Sequence, residues 1–281
     1  MKSKIITIIL IIACLLGLGL LLYPSVADYW NNSVNAQQIN FYRETLQDID
    51  EDQYREIWQQ ALEYNQLLSS SDADVLAQTY DYNKMLCIGE SKIMGYIEIP
   101  MLDVTLTVSH GTEEDVLSSG VGHIEWSSLP VGGVNTHSVL SAHRGLPSAK
   151  LFTDLDKLRE GELFILNILN ETLTYEVDQI RTVDPDDLSD LCVVPNQDYC
   201  TLVTCTPYGV NTHRLLVRGH RVENVIAEAR VISEAVVIDE VIVASFVAFP
   251  VLFGLLLVVL FKKPEKKVKL EDIRDSVAND Q

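Results

Sequence analysis

Three residues of this chain carry side chains that together support thiol-based acyl transfer. Cys205 ends an apolar, strand-like run, TLVTC, and Arg214 begins the next such run. His143 ends another apolar stretch upstream, HSVLSAH. A cysteine thiolate attacks a carbonyl carbon, a histidine moves protons to and from the amines, and an arginine stabilises a developing oxyanion. These residue types, each at a strand end, predict a site for acyl transfer through a thioester.

Residue chemistry alone leaves other interpretations open. A single cysteine in a strand commonly serves as a small buried hydrophobe, and a histidine after a strand is commonly a surface residue or a satisfied core residue. Five further histidines compete with His143 for the acid–base role: His110, His123, His137, His213 and His220. Their spacing does not choose among them.

Short β-branched segments that could position these side chains dominate the chain from Met94 onward. Glycine, proline, asparagine or aspartate separates them, as expected for strands joined by turns. The predicted strands are 95–100, 102–108, 137–142, 163–169, 172–180, 199–204 and 214–222. One helix is predicted among them, at 150–158. Seven or eight short strands predict a mainly β fold with a closed or nearly closed barrel.

The segment before the strands has a helical pattern. Apolar residues recur at helix-like spacings over 28–67, and the polar run 69–74 predicts a loop. The chain is predicted to begin with a transmembrane anchor or signal at 1–23, followed by a helical extension at 24–90 with a lid-like loop at about 69–74. The catalytic barrel is predicted at 91–225. A linker at 226–240, a second transmembrane helix at 241–261 and a cytoplasmic tail at 262–281 complete the prediction.

Two uncharged stretches, 5–22 and 241–261, are each about long enough to cross roughly 30 Å of hydrocarbon. Lysines lie beyond both, so the positive-inside rule predicts a multi-pass protein of the cell membrane, with both termini cytoplasmic and the body outside. Cleavage after the small residues at 25–27 is an alternative to an uncleaved anchor. A further alternative is lipidation, since the residues before Cys14 resemble a lipobox.

The composition of the chain limits the classes of molecule that it is expected to bind. The net charge is −19, and the terminal flanks are basic, so the acidic excess lies in the body. An acidic body argues against nucleic acid and against docking on anionic lipid. No zinc-type spacing of cysteine and histidine occurs, and we predict no metal and no cofactor. Cys200 and Cys205 lie five apart on one strand, face opposite sides and are poor disulfide partners.

The TLVTC run also carries a resemblance. It matches the TLxTC signature of sortases, the membrane-anchored cysteine transpeptidases of Gram-positive bacteria. Residues 94–100, 122–158 and 206–221 resemble class C, the sortases that polymerise pilins. The resemblance covers about 40–260 and implies a sortase-like β-barrel with a helical N-terminal extension and a C-terminal membrane helix.

This resemblance implies a role for four residues. Cys205 takes the position of the nucleophile, His143 that of the acid/base and Arg214 that of the active-site arginine. Thr204 precedes the nucleophile as in the family signature and is expected to contact the substrate or support the site.

One region departs from the class C pattern. Those enzymes typically carry a lid with an Asp-Pro-aromatic motif, whose aspartate pairs with the active-site arginine and whose aromatic covers the cysteine. This chain has SSSDAD at 69–74. Asp72 and Asp74 are the candidates to reach Arg214, and no proline or aromatic follows either of them. We therefore expect a weakly held lid.

The resemblance also implies a reaction and its partners. Cys205 is expected to cleave an LPxTG-type sorting signal between threonine and glycine and to transfer the acyl group to a lysine of the next pilin. The alternative within the family is transfer to a peptidoglycan precursor, which anchors surface proteins. A more distant alternative is a non-catalytic binding module anchored in the membrane.

Overall fold

The computed structural model of the protein describes residues 2–70, 76, 78–89 and 91–224, with scattered positions between 248 and 261. Two helices, α1 (Lys2–Gln47) and α2 (Glu51–Ser69), come first. The strands are β1 (Ile93–Ile99), β2 (Val104–His110), β3 (Val121–His123), β4 (Thr136–Ser141), β5 (Leu163–Ile168), β6 (Glu171–Val183), β7 (Asp198–Thr206) and β8 (His213–Val222). A short helix, Glu114–Leu117, precedes β3.

The strands close into a barrel in the order β1-β2-β3-β4-β7-β8-β6-β5, with β5 returning to β1. The pairs β2–β3 and β4–β7 are parallel and the others antiparallel. The predicted mainly β, closed barrel is therefore confirmed. Its interior is tightly filled: the rings of Phe164 and Tyr175 stack at 5.4 Å, and a Cβ at Gly219 would lie within 3 Å of the Phe164 ring and of the Tyr175 Cβ.

Two details of the predicted element list are wrong. The three-residue strand β3 is absent from the list, because so short a strand shows no alternation of polar and apolar residues. The predicted helix at 150–158 is a single 3-10 turn, Leu155–Lys157. Leu151 has a positive φ of 42°, which interrupts an α-helix at that point.

Side-chain amides and one phenol dock the helical extension on the barrel. On α1, Asn35 donates to the carbonyl of Ser119 at 2.7 Å and accepts from the backbone N–H of Thr107. On α2, Asn65 makes two hydrogen bonds with the backbone of Leu129. The Tyr42 hydroxyl donates to the carbonyl of Met94 at 2.8 Å. Because buried polar groups are costly unless paired, these bonds fix where the helices sit.

The chain divides into two compact units, and Tyr23–Ser233 holds the barrel, α2 and the part of α1 from Tyr23 onward. Within the described part of the chain, α1 is the one helix long and apolar enough to cross a membrane, over Ile5–Gln47. Most of the second predicted span, 241–261, lies outside the described residues, although Val251 and Phe253 within it are helical. The lid candidates Asp72 and Asp74 also lie outside the described residues.

Candidate active site

A cleft of about 320 Å³ opens where β4, β7 and β8 meet. Cys205, His143 and Arg214 all line it. The parallel pairing of β4 with β7 and the antiparallel pairing of β7 with β8 bring these strand ends to one place. Three residues separated by up to 71 positions in the chain thus share one small volume.

Cys205 and Arg214 are cross-strand neighbours. They are directly paired in the antiparallel ladder between β7 and β8. Cys205 is half-buried and lines the cleft. The Arg214 guanidinium donates to the backbone carbonyls of His213, at 3.2 Å, and Asn211, at 3.5 Å. These bonds hold the cation on the rim of the cleft that contains the thiol.

His143 lies just beyond the end of β4, on the opposite side of β7 from Arg214. Its side chain is 30% exposed, and its Nε2 lies 3.4 Å from a carboxylate oxygen of Glu114. The carbonyl of His143 accepts a hydrogen bond from the backbone N–H of Phe152 at 3.2 Å. The imidazole is therefore carried by an anchored backbone and remains open to the cleft.

Thr204 connects the two strands that carry Cys205 and His143. Its hydroxyl is buried and donates to the carbonyl of Ala142 at 2.8 Å. The backbone N–H of Ala142 donates to the carbonyl of Val203 at 3.2 Å. The β4–β7 pairing thus continues to the residue before each candidate catalytic side chain.

Three of the competing histidines are structural. His137 bonds the carbonyl of Cys192 and the hydroxyl of Thr201. His110 lies between the carbonyls of Lys92 and Met85. His123 is fully buried, and desolvation lowers its pKa to about 4. Desolvation also lowers the pKa of His110 and His137. The ring nitrogens of His123 face the Tyr82 hydroxyl and the Ser128 carbonyl. Since both ring nitrogens of each of these histidines are engaged away from Cys205, none of the three is available to move protons there.

The two remaining histidines lie at other places on β8. His213 faces Asp184 at 3.5 Å, and His220 faces Asp178 at 3.9 Å. Neither lines the cleft that holds Cys205. Among the histidines of this chain, all of which the structure describes, His143 is the one that shares that cleft.

The other cysteines differ from Cys205 in environment. Cys200, on the same strand, is fully buried in the barrel core, and burial raises the pKa of its thiol well above the ordinary value. Its side chain therefore faces the barrel interior while Cys205 faces the cleft, as the five-residue spacing predicts. No disulfide links Cys200 to Cys205.

Apolar side chains form most of the cleft wall. Val203 and Leu216 belong to a small hydrophobic cluster separate from the main core, and they form part of the cleft lining. Further apolar groups come from the β6–β7 loop and from the segment after β3, namely Pro185, Leu188, Leu191, Ile124 and Trp126. Such a wall favours contact with apolar groups of a ligand.

Sequence reasoning missed two polar residues at this site. Glu114 contacts His143 from 29 positions upstream, and nothing in the local sequence signals that contact. Arg144 directly follows His143 and is nearly fully buried at its side chain. A charged residue directly after the apolar run that ends at His143 was the available signal, because arginine is rarely buried unless it is paired.

Part of this chain is similar to known proteins. Residues 97–222 match the sortase domain family. Sortase D of Bacillus subtilis (strain 168) is 32% identical over 131 residues, which are 46% of this chain and 63% of that protein. The chain therefore spans less than two thirds of the length of this curated relative.

Two solved structures are similar to about two thirds of this chain. Sortase C1 of Streptococcus agalactiae is 52% identical with a TM-score of 0.63, over 67% of this chain and 99% of that one. Sortase C of Streptococcus pneumoniae, whose structure bears on catalysis and pilin substrate specificity, is 42% identical with a TM-score of 0.60, over 66% of this chain and 96% of that one.

Proposed function

The chain belongs to the sortase family, and from this premise we propose that it is a cysteine transpeptidase acting on LPxTG-type sorting signals. The single observation that best supports the proposal is the shared cleft of Cys205, His143 and Arg214. Thiol, imidazole and guanidinium groups in one cleft are the parts that acyl transfer through a thioester requires.

In the first half-reaction, the Cys205 thiolate attacks the threonine carbonyl carbon of the Thr–Gly bond. Arg214, the cross-strand neighbour of Cys205, stabilises the oxyanion that develops on the carbonyl oxygen. The C–N bond breaks as protonated His143 gives its proton to the departing glycine amine. The product is a thioester between Cys205 and the threonine, and the C-terminal fragment leaves.

In the second half-reaction, neutral His143 accepts a proton from an incoming amine, which attacks the thioester carbonyl. The C–S bond breaks, an amide bond forms and the Cys205 thiolate is regenerated. The cycle balances without an oxidant or cofactor, because the proton lost to the departing amine is replaced by one from the incoming amine and Cys205 ends as the thiolate.

We propose that the apolar wall of the cleft receives the leucine and proline of the sorting signal. Val203 and Leu216 line the cleft together with Leu188 of the β6–β7 loop. Each large apolar side chain that is fully buried against such a wall contributes about 1.5–3 kcal/mol to the free energy of binding. Burial of the leucine and proline side chains would therefore favour binding of the motif.

The amine acceptor is proposed to be a pilin lysine, so that the product is a covalent pilus. The support is the similarity to sortase C structures over nearly the whole length of those chains. The alternative acceptor is the free amine of a peptidoglycan precursor, which would make the enzyme an anchoring sortase. The protein is proposed to be held in the cell membrane by the apolar part of α1, with the barrel on the outer face.

The test uses the full chain in detergent and an LPxTG-type peptide. Mass spectrometry of the trapped protein should find the acyl group on Cys205 and the C-terminal fragment in solution. Two amines are then compared as resolving groups: a peptide with one internal lysine and a peptide with a free N-terminal glycine, which resembles a cell-wall cross-bridge. Faster resolution by the lysine peptide supports pilin polymerisation, whereas faster resolution by the glycine peptide supports anchoring.

The non-catalytic alternative is tested with a thiol-reactive probe. A catalytic Cys205 should react selectively in the native protein, whereas an inert one should resist labelling. Cys200 serves as the internal reference, since it is fully buried in the core. Equal resistance of the two residues, together with no acyl adduct, would favour the binding module.

A further inference from the structure

Arg144, the residue after His143, is hydrogen-bonded to the residue after Cys205. It directly follows His143 in the chain, and its Nη1 donates to the hydroxyl of Thr206 at 3.2 Å. Thr206 directly follows Cys205 at the end of β7. One buried side chain thus links the loop that carries the imidazole to the strand end that carries the thiol.

A carboxylate holds this guanidinium in place. The Nη2 of Arg144 donates to Asp156, which lies in the 3-10 turn Leu155–Lys157. The same region of the chain also holds the backbone around Arg144. Phe152 donates its N–H to the carbonyl of His143, and Gly145, at a φ of 79°, donates to the hydroxyl of Thr153. The direction of the Arg144 side chain is therefore fixed by contacts at its guanidinium and at the backbone on either side of it.

The Arg144–Thr206 bond complements the bond from Thr204 to Ala142. The Thr204 hydroxyl joins the residues that precede Cys205 and His143, at 2.8 Å. The Arg144 guanidinium makes the corresponding bond between the residues that follow His143 and Cys205, namely Arg144 itself and Thr206. With one hydrogen bond on each side, the segments that carry His143 and Cys205 cannot slide past each other without breaking at least one of these bonds.

Burial of Arg144 is not explained by stability alone. Its side chain is 8% exposed, and its Nε is buried without a hydrogen-bond partner among the residues that the structure describes. Leaving a buried donor unpaired costs free energy. A shorter apolar residue after His143 would avoid that cost but would lose the link to Thr206.

We propose that Arg144 is a positioning residue for acyl transfer, which by bridging Thr206 and Asp156 fixes the placement of the His143 imidazole relative to the Cys205 sulfur. The proposal rests on the proposed transpeptidase function. Since a misplacement of reacting groups by about 1 Å can cost about 100-fold in rate, a residue that fixes this geometry acts on turnover more than on substrate binding.

The experiment compares variants that remove one link at a time in the full chain. Arg144→Lys keeps a positive charge for Asp156 but loses the planar fork that reaches two partners. Thr206→Val keeps the shape of Thr206 and removes the oxygen that accepts from Arg144. The matched control is Arg218→Lys, because Arg218 makes a two-point bond with Asp178, at 2.9 and 3.0 Å, and does not line the cleft.

The measurement is the rate of thioacyl formation with an LPxTG-type peptide over a range of peptide concentrations, together with the thermal midpoint. We expect Arg144→Lys and Thr206→Val each to lower the saturating rate by about tenfold or more, with the half-saturating concentration changed by less than about twofold. The double variant should be no slower than the slower single variant, because both substitutions remove one shared bond. Arg218→Lys should stay within about twofold of wild type.

Each outcome bears on the proposal. Wild-type rates in both Arg144→Lys and Thr206→Val would overturn it, as would rate losses that add in the double variant. Equal rate losses in Arg218→Lys would also overturn it, since they would show a general effect of weakening a partly buried ion pair. If Arg144→Lys does not fold, Thr206→Val decides alone. Absence of any adduct in the wild type would overturn the proposed function itself, and the two failures are therefore distinguishable.

Discussion

The Thr204 hydroxyl donates a hydrogen bond of 2.8 Å to the backbone carbonyl of Ala142, and this bond joins the residues that immediately precede Cys205 and His143. Thr204 is buried, so the bond is shielded from water. Thr204 therefore supports the proposed chemistry by holding the two strands together, although its hydroxyl takes no part in proton transfer or charge stabilisation.

Thr204→Val should lower the free energy of unfolding by about 1–3 kcal/mol, because the Ala142 carbonyl then loses its partner in a buried place. Thioacyl formation should also slow, because the β4 end that carries His143 is no longer tied to β7. Thr204→Ser, which retains the hydroxyl, is the matched control and should keep most of the activity. Chemical denaturation and adduct formation measure the two effects, and a Thr204→Val protein as stable and as fast as wild type would contradict both.

Cys205→Ala should abolish the acyl adduct and the transfer to any amine while the fold remains intact, because it removes the only group proposed to hold the acyl intermediate. Cys200→Ala is the matched control on the same strand. Since Cys200 is fully buried, that variant should lose about 1 kcal/mol of stability and still form the adduct. Polymer or adduct formed by Cys205→Ala at the wild-type rate would show that the nucleophile has been misassigned.

His143→Ala and Arg214→Ala should each reduce turnover by at least about 100-fold, the usual scale for losing acid–base or oxyanion assistance. Arg214→Lys should also be poor, because an ammonium does not reproduce the guanidinium fork. Circular dichroism should show folded protein in all three, since neither His143 nor Arg214 belongs to the buried core. A larger loss of turnover in a folded His123→Ala or His220→Ala protein would mean that the wrong histidine has been assigned.

Stability should fall as the pH is lowered from about 6.5 towards 4, in part because of His123. Burial depresses the pKa of His123 from 6.5 to about 4, so between these values the unfolded chain binds a proton that the folded chain does not. Stability from such a group is present above its unfolded pKa and is lost as the pH falls, at up to about 1.4 kcal/mol per pH unit.

His123→Gln tests this dependence. The substitution should lower stability at pH 7, because the bond to the Tyr82 hydroxyl is disturbed, yet flatten the decline of stability between pH 6.5 and pH 4.5. Urea denaturation at several pH values gives both quantities. Parallel stability curves for the variant and the wild type would exclude His123 as a source of the acid sensitivity.

Both termini should be cytoplasmic and the barrel outside the cell, because lysines lie beyond each apolar stretch of the sequence. Protease added to intact protoplasts should digest the barrel and spare an epitope tag placed after Gln281. Protoplasts opened with detergent provide the control, in which the tag must also be digested. Loss of the tag from intact protoplasts would refute the predicted arrangement.

Much of this protein was predictable from local patterns. The short β-branched segments predicted a closed barrel, and the helix-like spacing over 28–67 predicted the region now seen as part of α1 and α2. The TLVTC run singled out Cys205. These features are local in sequence, since alternation, helical periodicity and a contiguous motif are all carried by neighbouring residues.

The relations between distant segments were decided only by the tertiary structure. From chemistry alone, His143 was one of six equivalent candidates, and only the fold shows that three of the others are engaged in buried bonds and the remaining two face other carboxylates. The contacts of Arg144 with Thr206 and of Thr204 with Ala142 each span 62 positions. Such contacts depend on strand order and register, which are set by packing of the whole barrel and leave no periodic signal along the chain.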